Sequence, residues 1–245
     1  MTAAIRIQDL TKSYKDVTAV DRLNLEIREG ELFSLLGVNG AGKTTTIKML
    51  STLVKPTSGE AFIYDWSLSK DADRIKGILD VSMQETAIAR KLTVEENIEF
   101  YARLSGQTRE ETEASKKEIY GTFGLDQVRR KQAAKLSGGW QRKLSIALAL
   151  VSHPKILFLD EPTLGLDVLA RRELWKTIEA LKGKMTILLT THYMEEAEAL
   201  SDRIGIMKDG RLLFTGPKEE LFDSTGKESV EDAFIEIVSG GGRHA

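Results

Sequence analysis

One segment restricts the possible folds more than any other: an apolar run, then a glycine-rich loop, then a helical pattern. The run Leu32 to Leu36 predicts a strand, and residues 44–50, with Ile47 and Leu50 three apart, predict a helix. The loop between them, GVNGAGKT at residues 37–44, matches the pattern G-x-x-x-x-G-K-[ST]. A strand, a tight loop and a helix in this order are typical of α/β proteins that bind phosphate groups.

The residue types of this loop suit phosphate chemistry. Glycines let backbone N–H groups approach phosphate oxygens, and the lysine adds a positive charge. We expect Lys43 to reach the β and γ oxygens of a nucleoside triphosphate and Thr44 to hold Mg²⁺. A flexible turn with a surface lysine is the less favoured interpretation, because strand and helix flank the loop. The predicted binding residues of the loop are Gly37, Asn39, Gly40, Ala41, Gly42, Lys43, Thr44 and Thr45.

The composition excludes several other classes of protein. The chain has 245 residues, 41% hydrophobic and 29% charged, as in compact globular proteins. Lys and Arg number 35 against 37 Asp and Glu, so the basic excess of a general nucleic-acid binder is missing. There is no cysteine, which excludes disulfides and thiolate metal sites. No apolar run approaches the ~20 residues of a membrane-spanning helix, and Asp9 interrupts any export signal.

Several further strands are predicted from alternation and turn signals. The alternating residues 23–27 predict a strand next to the one at Leu32 to Leu36, and short strands are predicted at 60–64 and 78–83. The stretch RIGIMKDGRLLFTG predicts a hairpin, because Asp209-Gly210 supplies the positive-φ pair of a two-residue turn. Strands are therefore expected towards both ends of the chain.

The middle of the chain is helical in pattern. Residues 86–152 contain three helical stretches, and Thr93, three residues before Glu96, predicts a capped helix start. After them come two nearly unbroken apolar runs, KILFLD and MTILLTT, as in parallel strands that are covered on both faces. We expect one α/β domain with a helical subdomain inserted at 86–152.

Two carboxylates follow the first of these apolar strands. Asp160 and Glu161 come directly after Ile156 to Leu159, at the carboxyl end of a strand, where open α/β sheets bind ligands. Asp160 suits a grip on Mg²⁺, and Glu161 suits the positioning and deprotonation of a water molecule. A solvated acidic strand end is the alternative interpretation, and the phosphate loop makes it the weaker one.

A second anion site is possible at the start of the helix after LSGG. Ser137 is a favourable N-cap residue, and Gly138 and Gly139 would expose the first amides of a helix from Gln141 to Val151. On its own, this pattern favours an ordinary capped helix.

Together these motifs resemble, in content and order, an ABC-transporter nucleotide-binding domain. The resemblance covers nearly the whole chain and includes GVNGAGKT, LSGG at 136–139, ILFLDE at 156–161, LGLD at 164–167 and Thr191-His192. The C-terminal part is most similar to ATPase subunits of bacterial drug, antibiotic or sodium exporters. The resemblance implies a P-loop NTPase core with a parallel sheet, an N-terminal antiparallel β subdomain and an inserted helical subdomain. The ATPase domain would span residues 1–225, followed by a short tail at 226–245.

The resemblance also implies a role for individual residues. Tyr14 would stack on adenine, and His192 would contact the γ-phosphate. Gln84 would sense Mg²⁺ and the attacking water. The catalytic set is then Glu161, His192 and Gln84, and the metal set is Thr44, Gln84 and Asp160. Ser137, Gly138, Gly139 and Asp167 would act across a dimer, on the nucleotide or phosphate loop of the other chain, although Asp167 also suits the N-cap of the helix that follows it.

The function implied is ATP hydrolysis that drives export through separate membrane subunits. The partners would be a second ATPase subunit, as a homodimer, and integral-membrane permeases, at the inner face of the cell membrane. One alternative is an ABC ATPase that acts on nucleic acid or ribosomes, and another is a nucleotide-sensing regulator. The basic stretch Arg129 to Lys131 has no interleaved aromatic residue, so we expect a solvated helical face and no nucleic-acid partner.

Overall fold

The structure is a computed structural model that describes residues 2–240, and it divides into two compact units. The first unit contains the chain up to Gly77 and from Lys182 onward, and the second runs from Ile78 to Leu181. Residues 241–245, the end of the predicted tail, lie outside the described part of the chain. Within residues 2–240, no helix is both long enough and apolar enough to cross a bilayer.

The secondary structure alternates between strands and helices. The strands within residues 2–240 are β1 (Ala3–Tyr14), β2 (Val17–Arg28), β3 (Leu32–Leu36), β4 (Ser58–Ile63), β5 (Trp66–Ser67), β6 (Leu79–Ser82), β7 (Ile156–Asp160), β8 (Thr186–Thr191), β9 (Arg203–Lys208) and β10 (Arg211–Gly216). The α-helices of the same stretch are α1 (Lys43–Leu50), α2 (Ala72–Lys76), α3 (Val94–Leu104), α4 (Arg109–Phe123), α5 (Gly138–Leu150), α6 (Val168–Glu179), α7 (Met194–Leu200), α8 (Lys218–Thr225) and α9 (Val230–Val238).

The first unit holds an antiparallel sheet and a mainly parallel one. The antiparallel sheet has the strand order β2-β1-β4-β5. In the other, β3 pairs in parallel with both β8 and β9, and β9 pairs with β10 in the antiparallel sense. Helices α7 and α9 pack on this sheet around an apolar cluster that includes Leu36, Ile204 and Phe234. The predicted α/β fold class, with its N-terminal antiparallel subdomain, is confirmed.

The prediction that residues 23–27 and 32–36 form neighbouring strands is wrong. Both are strands, but β2 pairs with β1 from Ala3↔Arg28 to Tyr14↔Val17, whereas β3 lies between β8 and β9. The burial of each strand gives the reason. β2 alternates between buried and exposed residues along its second half, which suits a sheet with one open face, while all five residues of β3 are buried, as in a central parallel strand.

The predicted hairpin between β9 and β10 is confirmed. Its turn residues Asp209 and Gly210 have φ of 48° and 80°, and Arg211 pairs with Lys208. This pair of positive φ values matches the twist of the flanking strands. The turn also contacts the phosphate loop, because the Gly210 amide donates a hydrogen bond of 3.1 Å to the Ala41 carbonyl.

The second unit combines two parallel strands with four α-helices. β6 and β7 pair in register from Leu79↔Ile156 to Ser82↔Leu159, and β7 is buried along its whole length. Helices α3, α4 and α5 lie within the predicted helical region 86–152. Thr93 forms the predicted cap: its side chain accepts from the Glu96 amide, and the Glu96 carboxylate accepts from the Thr93 amide.

A buried ammonium group links α3 to α4 in this unit. Lys116 Nζ lies 2.9 Å from a Glu95 carboxylate oxygen, 2.7 Å from Glu99 and 3.0 Å from Glu113. Burial alone would lower the pKa of Lys116, but hydrogen bonds with the three carboxylates outweigh it and raise the pKa. The hydrogen bond with Lys116 is also the main reason why the pKa of Glu95 is lowered.

We expect Lys116→Met to reduce the dependence of stability on acid pH. Because the pKa of Glu95 is lower in the folded state, its pairing stabilises the fold above its unfolded pKa and is lost as the pH falls through the folded pKa. The raised pKa of Lys116 stabilises the fold at acid and neutral pH alike, and this contribution is lost only as the pH rises into the strongly alkaline range. The difference in Tm between wild type and Lys116→Met should therefore be large near pH 7 and shrink below about pH 4. The control is the exposed neighbour Lys117→Met, and a difference that stays constant with pH would contradict the prediction.

Candidate functional site

Close backbone approach explains the glycines of the phosphate loop, which joins β3 to α1. Gly40 and Gly42 have φ of 84° and 106°, a region that favours glycine. A Cβ atom on Gly37 would lie 2.4 Å from the Met207 carbonyl oxygen, and one on Gly42 would lie 2.4 Å from that of Ala19. Any side chain at either position would collide with backbone that cannot move aside easily. The loop therefore keeps its amides accessible at the start of a helix.

The lysine of the loop is buried within it. Lys43 is only 5% exposed, and its Nζ donates hydrogen bonds of 2.6 Å to the Gly37 carbonyl and 3.2 Å to that of Val38. Lys43 is also the first residue of α1, so its ammonium group and the first amides of the helix lie at the same loop. A positive charge at the positive end of a helix dipole is a site for a polyanion. Thr44 and Thr45 follow in the first turn of α1.

Tyr14 ends β1 in the same unit, with 45% of its surface exposed. Its ring is contacted by the ammonium group of Lys12, whose Nζ lies 4.9 Å from the ring centroid. A cation near an aromatic face is attracted by the ring's quadrupole. The exposed ring area is available for stacking, as the predicted adenine contact requires.

His192 directly follows β8, and the last residue of β8 is hydrogen-bonded to the phosphate loop. The Gly37 amide donates a hydrogen bond of 3.2 Å to the Thr191 carbonyl, so His192 is one residue away from a contact with the loop. The imidazole ring packs on Tyr193, with ring centroids 4.1 Å apart. Within the first unit, the structure thus connects the residue predicted to contact the γ-phosphate to the loop predicted to bind it.

In the second unit, the predicted acidic pair ends β7. Both Asp160 and Glu161 are buried, and Glu161 has a φ of 49°. A left-handed conformation costs a non-glycine residue about 1–2 kcal/mol, and such strain is concentrated at functional sites. Gln84 is exposed and lies two residues after β6. Because β6 and β7 are parallel, with Ser82 paired to Leu159, these three residues lie at or just after the carboxyl ends of neighbouring strands.

The LSGG segment differs from its prediction in detail. Ser137 is the N-cap residue of α5, as predicted, but the helix starts at Gly138 instead of Gln141. The two glycines are therefore its first residues. Within this helix, the Ser137 hydroxyl accepts no capping hydrogen bond, and it is exposed at the helix start. A Cβ on Gly139 would lie 3.1 Å from the Ala170 Cβ, which explains a small residue there.

Asp167 caps the following helix. Its Oδ1 accepts a hydrogen bond of 2.9 Å from the Ala170 amide at the start of α6, so the predicted capping role is confirmed. A contact across a dimer stays a prediction for this residue.

The comparisons with known proteins agree with these motifs. Residues 20–164 match the model of a family described as ABC transporter, which is more than half of the chain. The chain belongs to the ABC transporter family. As an ABC nucleotide-binding domain, it is an ATP hydrolase.

Two curated relatives and one solved structure illustrate the similarity of this ABC domain to known proteins. It is 43% identical over 220 residues to human phospholipid-transporting ATPase ABCA3, a match that covers 88% of this chain and 13% of that protein. It is 38% identical over 226 residues to the daunorubicin/doxorubicin resistance ATP-binding protein DrrA of Streptomyces peucetius, covering 92% of this chain and 68% of that one. The dimeric post-hydrolysis state of the ATP-binding cassette MJ0796, bound to ADP and Pi, matches with a TM-score of 0.78 and 27% identity, covering 87% of this chain and 98% of that one.

One residue of the ABC domain escaped the sequence predictions. Arg142, in α5, is 4% exposed, and its guanidinium donates hydrogen bonds to backbone carbonyls on both sides of Glu161 and around Gln84. The sequence holds one signal for it: Arg142 is one of two charged residues, with Lys143, that precede the apolar run LSIALALV of a buried helix. A buried arginine needs partners for its donors, and here they are main-chain atoms that no sequence pattern predicts.

Proposed function

We propose that this ABC domain uses Mg²⁺ with ATP and couples ATP hydrolysis to export of a substrate through separate membrane subunits. The phosphate loop is the observation that carries the proposal, because its buried lysine and its tightly packed glycines suit a triphosphate chain. The names of two relatives, which refer to a phospholipid and to daunorubicin and doxorubicin, support a cargo of the lipid or drug class. Antibiotics and ions are further candidates.

ATP is bound mainly by the first unit. The amides of residues 37–45 hold the phosphate oxygens, and Lys43 exchanges its two carbonyl partners for the β- and γ-phosphates. Tyr14 stacks on adenine with its exposed ring, and His192 donates a hydrogen bond to the γ-phosphate. The hydrogen bond between Gly37 and Thr191 supports this arrangement, since it ties the strand before His192 to the loop.

Hydrolysis needs the second unit. Glu161 takes a proton from the attacking water as general base, and Gln84 orients that water through its amide group without adding charge. The buried carboxylate and the strained backbone of Glu161 support this role, because both are typical of residues held in place for a reaction.

The predicted metal ligands, one in the first unit and two in the second, are each of a chemical type that Mg²⁺ prefers. The Thr44 hydroxyl, the Asp160 carboxylate and the Gln84 amide oxygen are all hard oxygen ligands, which this ion prefers, and Mg²⁺ usually combines one or two carboxylates with substrate phosphates. When bound, the ion neutralises charge on the phosphate oxygens. Thr44 and Gln84 contribute neutral oxygens, so Asp160 supplies the only negative charge of the three.

The partners are a second cassette and a membrane subunit. The exposed Ser137 and the first amides of α5, at Gly138 and Gly139, bind the γ-phosphate held by the other cassette, and Asp167 contacts the other phosphate loop. The dimeric structure of the MJ0796 cassette supports the pairing of two cassettes. Each γ-phosphate then bridges two chains, so its loss opens the dimer. A homodimer at the inner face of the cell membrane is the simplest assembly.

Co-purification tests the proposal. The tagged chain, isolated from membranes of its natural host, should carry a polytopic membrane protein and release phosphate from ATP, and wild type should hydrolyse ATP faster with that protein than alone. RNA or DNA in the same preparation, without a membrane protein, would favour the nucleic-acid alternative. A preparation that neither retains ATP nor releases phosphate would refute the proposed function.

A further inference from the structure

Arg142 joins the two segments of the second unit that carry proposed catalytic residues. Its Nε and Nη2 atoms donate hydrogen bonds of 2.7 and 2.8 Å to the carbonyls of Pro162 and Asp160. Its Nη1 atom donates to the carbonyls of Met83 and Gln84, at 2.6 and 3.2 Å. One planar guanidinium thus connects the segment 160–162, at the end of β7, with the segment 83–84, just after β6.

The backbone of Glu161 needs support of this kind. Its φ of 49° lies in a region that side chains with a Cβ rarely adopt. The carbonyls of Asp160 and Pro162, which Arg142 holds, belong to the residues directly before and after Glu161. The Glu161 carbonyl itself accepts a hydrogen bond of 3.2 Å from the Leu164 amide. Without the guanidinium, two of these three carbonyls lose the donor that holds them, and the turn is free to relax.

We infer that Arg142 is a positioning residue for ATP hydrolysis, which holds the Glu161 turn and the Gln84 segment in one arrangement. The inference rests on the roles proposed above for Glu161 and Gln84. A misplacement of about 1 Å at a reacting group costs about a hundredfold in rate, so the effect of Arg142 belongs to kcat. ATP affinity depends on the phosphate loop of the first unit and stays unchanged.

Arg142→Lys is the most informative single change. It keeps the positive charge, but a lysine has one terminal nitrogen, whereas the arginine uses three nitrogens in one plane and so reaches both segments. We expect kcat to fall about a hundredfold, with the Kd for ATP within about twofold of wild type. The matched control is Arg109→Lys at the exposed start of α4, which should change neither value.

A double-mutant cycle separates positioning from general support of the fold. In a Glu161→Gln background, Arg142→Lys should lower the residual rate by less than about tenfold, against about a hundredfold in wild type, because only its effect through Gln84 remains and residues that act through one another are not additive. A general structural role would lower the rate by the same factor in both backgrounds. Single-turnover release of phosphate from radiolabelled ATP measures all four proteins of the cycle.

Each outcome decides one question. A normal kcat in Arg142→Lys, with Glu161→Gln impaired, overturns the inference and leaves the proposed function intact. Equal losses of rate in both backgrounds, or loss of ATP binding in Arg142→Lys, would mean that Arg142 supports the fold in general. Either result also overturns the inference. Full turnover in Glu161→Gln alone refutes the proposed catalytic role, and the inference falls with it. A large loss in the wild-type background that becomes much smaller beside Glu161→Gln supports the inference.

Discussion

Glu161→Gln should lower kcat for ATP hydrolysis about a hundredfold or more, the usual scale for loss of a general base. Glutamine has nearly the shape of glutamate and can keep the strained turn at φ 49°, but it cannot accept a proton from water. ATP binding should be retained, because the phosphate loop lies in the first unit. The measurement is steady-state phosphate release together with ATP titration of the same preparation.

The matched control is Glu110→Gln, an exposed residue in the first turn of α4. It makes the same chemical change far along the chain from any proposed site residue, and we expect wild-type kcat and affinity. If Glu161→Gln hydrolyses ATP as fast as Glu110→Gln, Glu161 is not the general base.

Lys43→Ala should weaken ATP binding about ten- to a hundredfold, since a hydrogen bond to a charged group contributes roughly 1.5–3 kcal/mol. The ammonium group already lies inside the loop, where it donates to the Gly37 and Val38 carbonyls, and it gives up these hydrogen bonds when it binds the phosphates. AMP has no β- or γ-phosphate, and its affinity should change far less. Titrations of both nucleotides measure the difference.

Lys55→Ala is the control for this variant, because Lys55 is an exposed lysine beyond the end of α1. It tests whether loss of one positive charge from the first unit is enough to weaken ATP binding. An unchanged ATP affinity in Lys43→Ala would argue against the phosphate-loop assignment, and equal losses for ATP and AMP would place Lys43 away from the β- and γ-phosphates.

Features encoded by neighbouring residues were predictable. The turn of the last hairpin depends on the Asp209-Gly210 pair, and the start of α3 depends on Thr93 and Glu96, three positions apart. Strands β7 and β8 appeared as nearly unbroken apolar runs because both of their faces are covered. In each case, the residues that create the structure are close enough in the chain to act on one another directly.

Features that depend on residues far apart in the chain were not predictable from the sequence. The prediction that β2 and β3 are neighbours failed because the pairing of β3 is decided by β8 and β9, more than a hundred residues away. The sequence predicts that α5 starts at Gln141, after the two glycines. In the structure, Gly138 and Gly139 are helical, and a small residue at Gly139 fits against Ala170 of another helix.

The amino-acid sequence alone was enough to locate the phosphate loop and the candidate chemistry of Lys43 and Glu161, because those requirements are met within a few consecutive residues. Only the folded chain shows how the base is held. Arg142 meets carbonyls 58 and 59 residues before it and 18 and 20 residues after it. Every residue has a backbone carbonyl, so the sequence does not indicate which carbonyls this arginine will meet. Its partners depend on where β6 and β7 end, and only tertiary packing determines that.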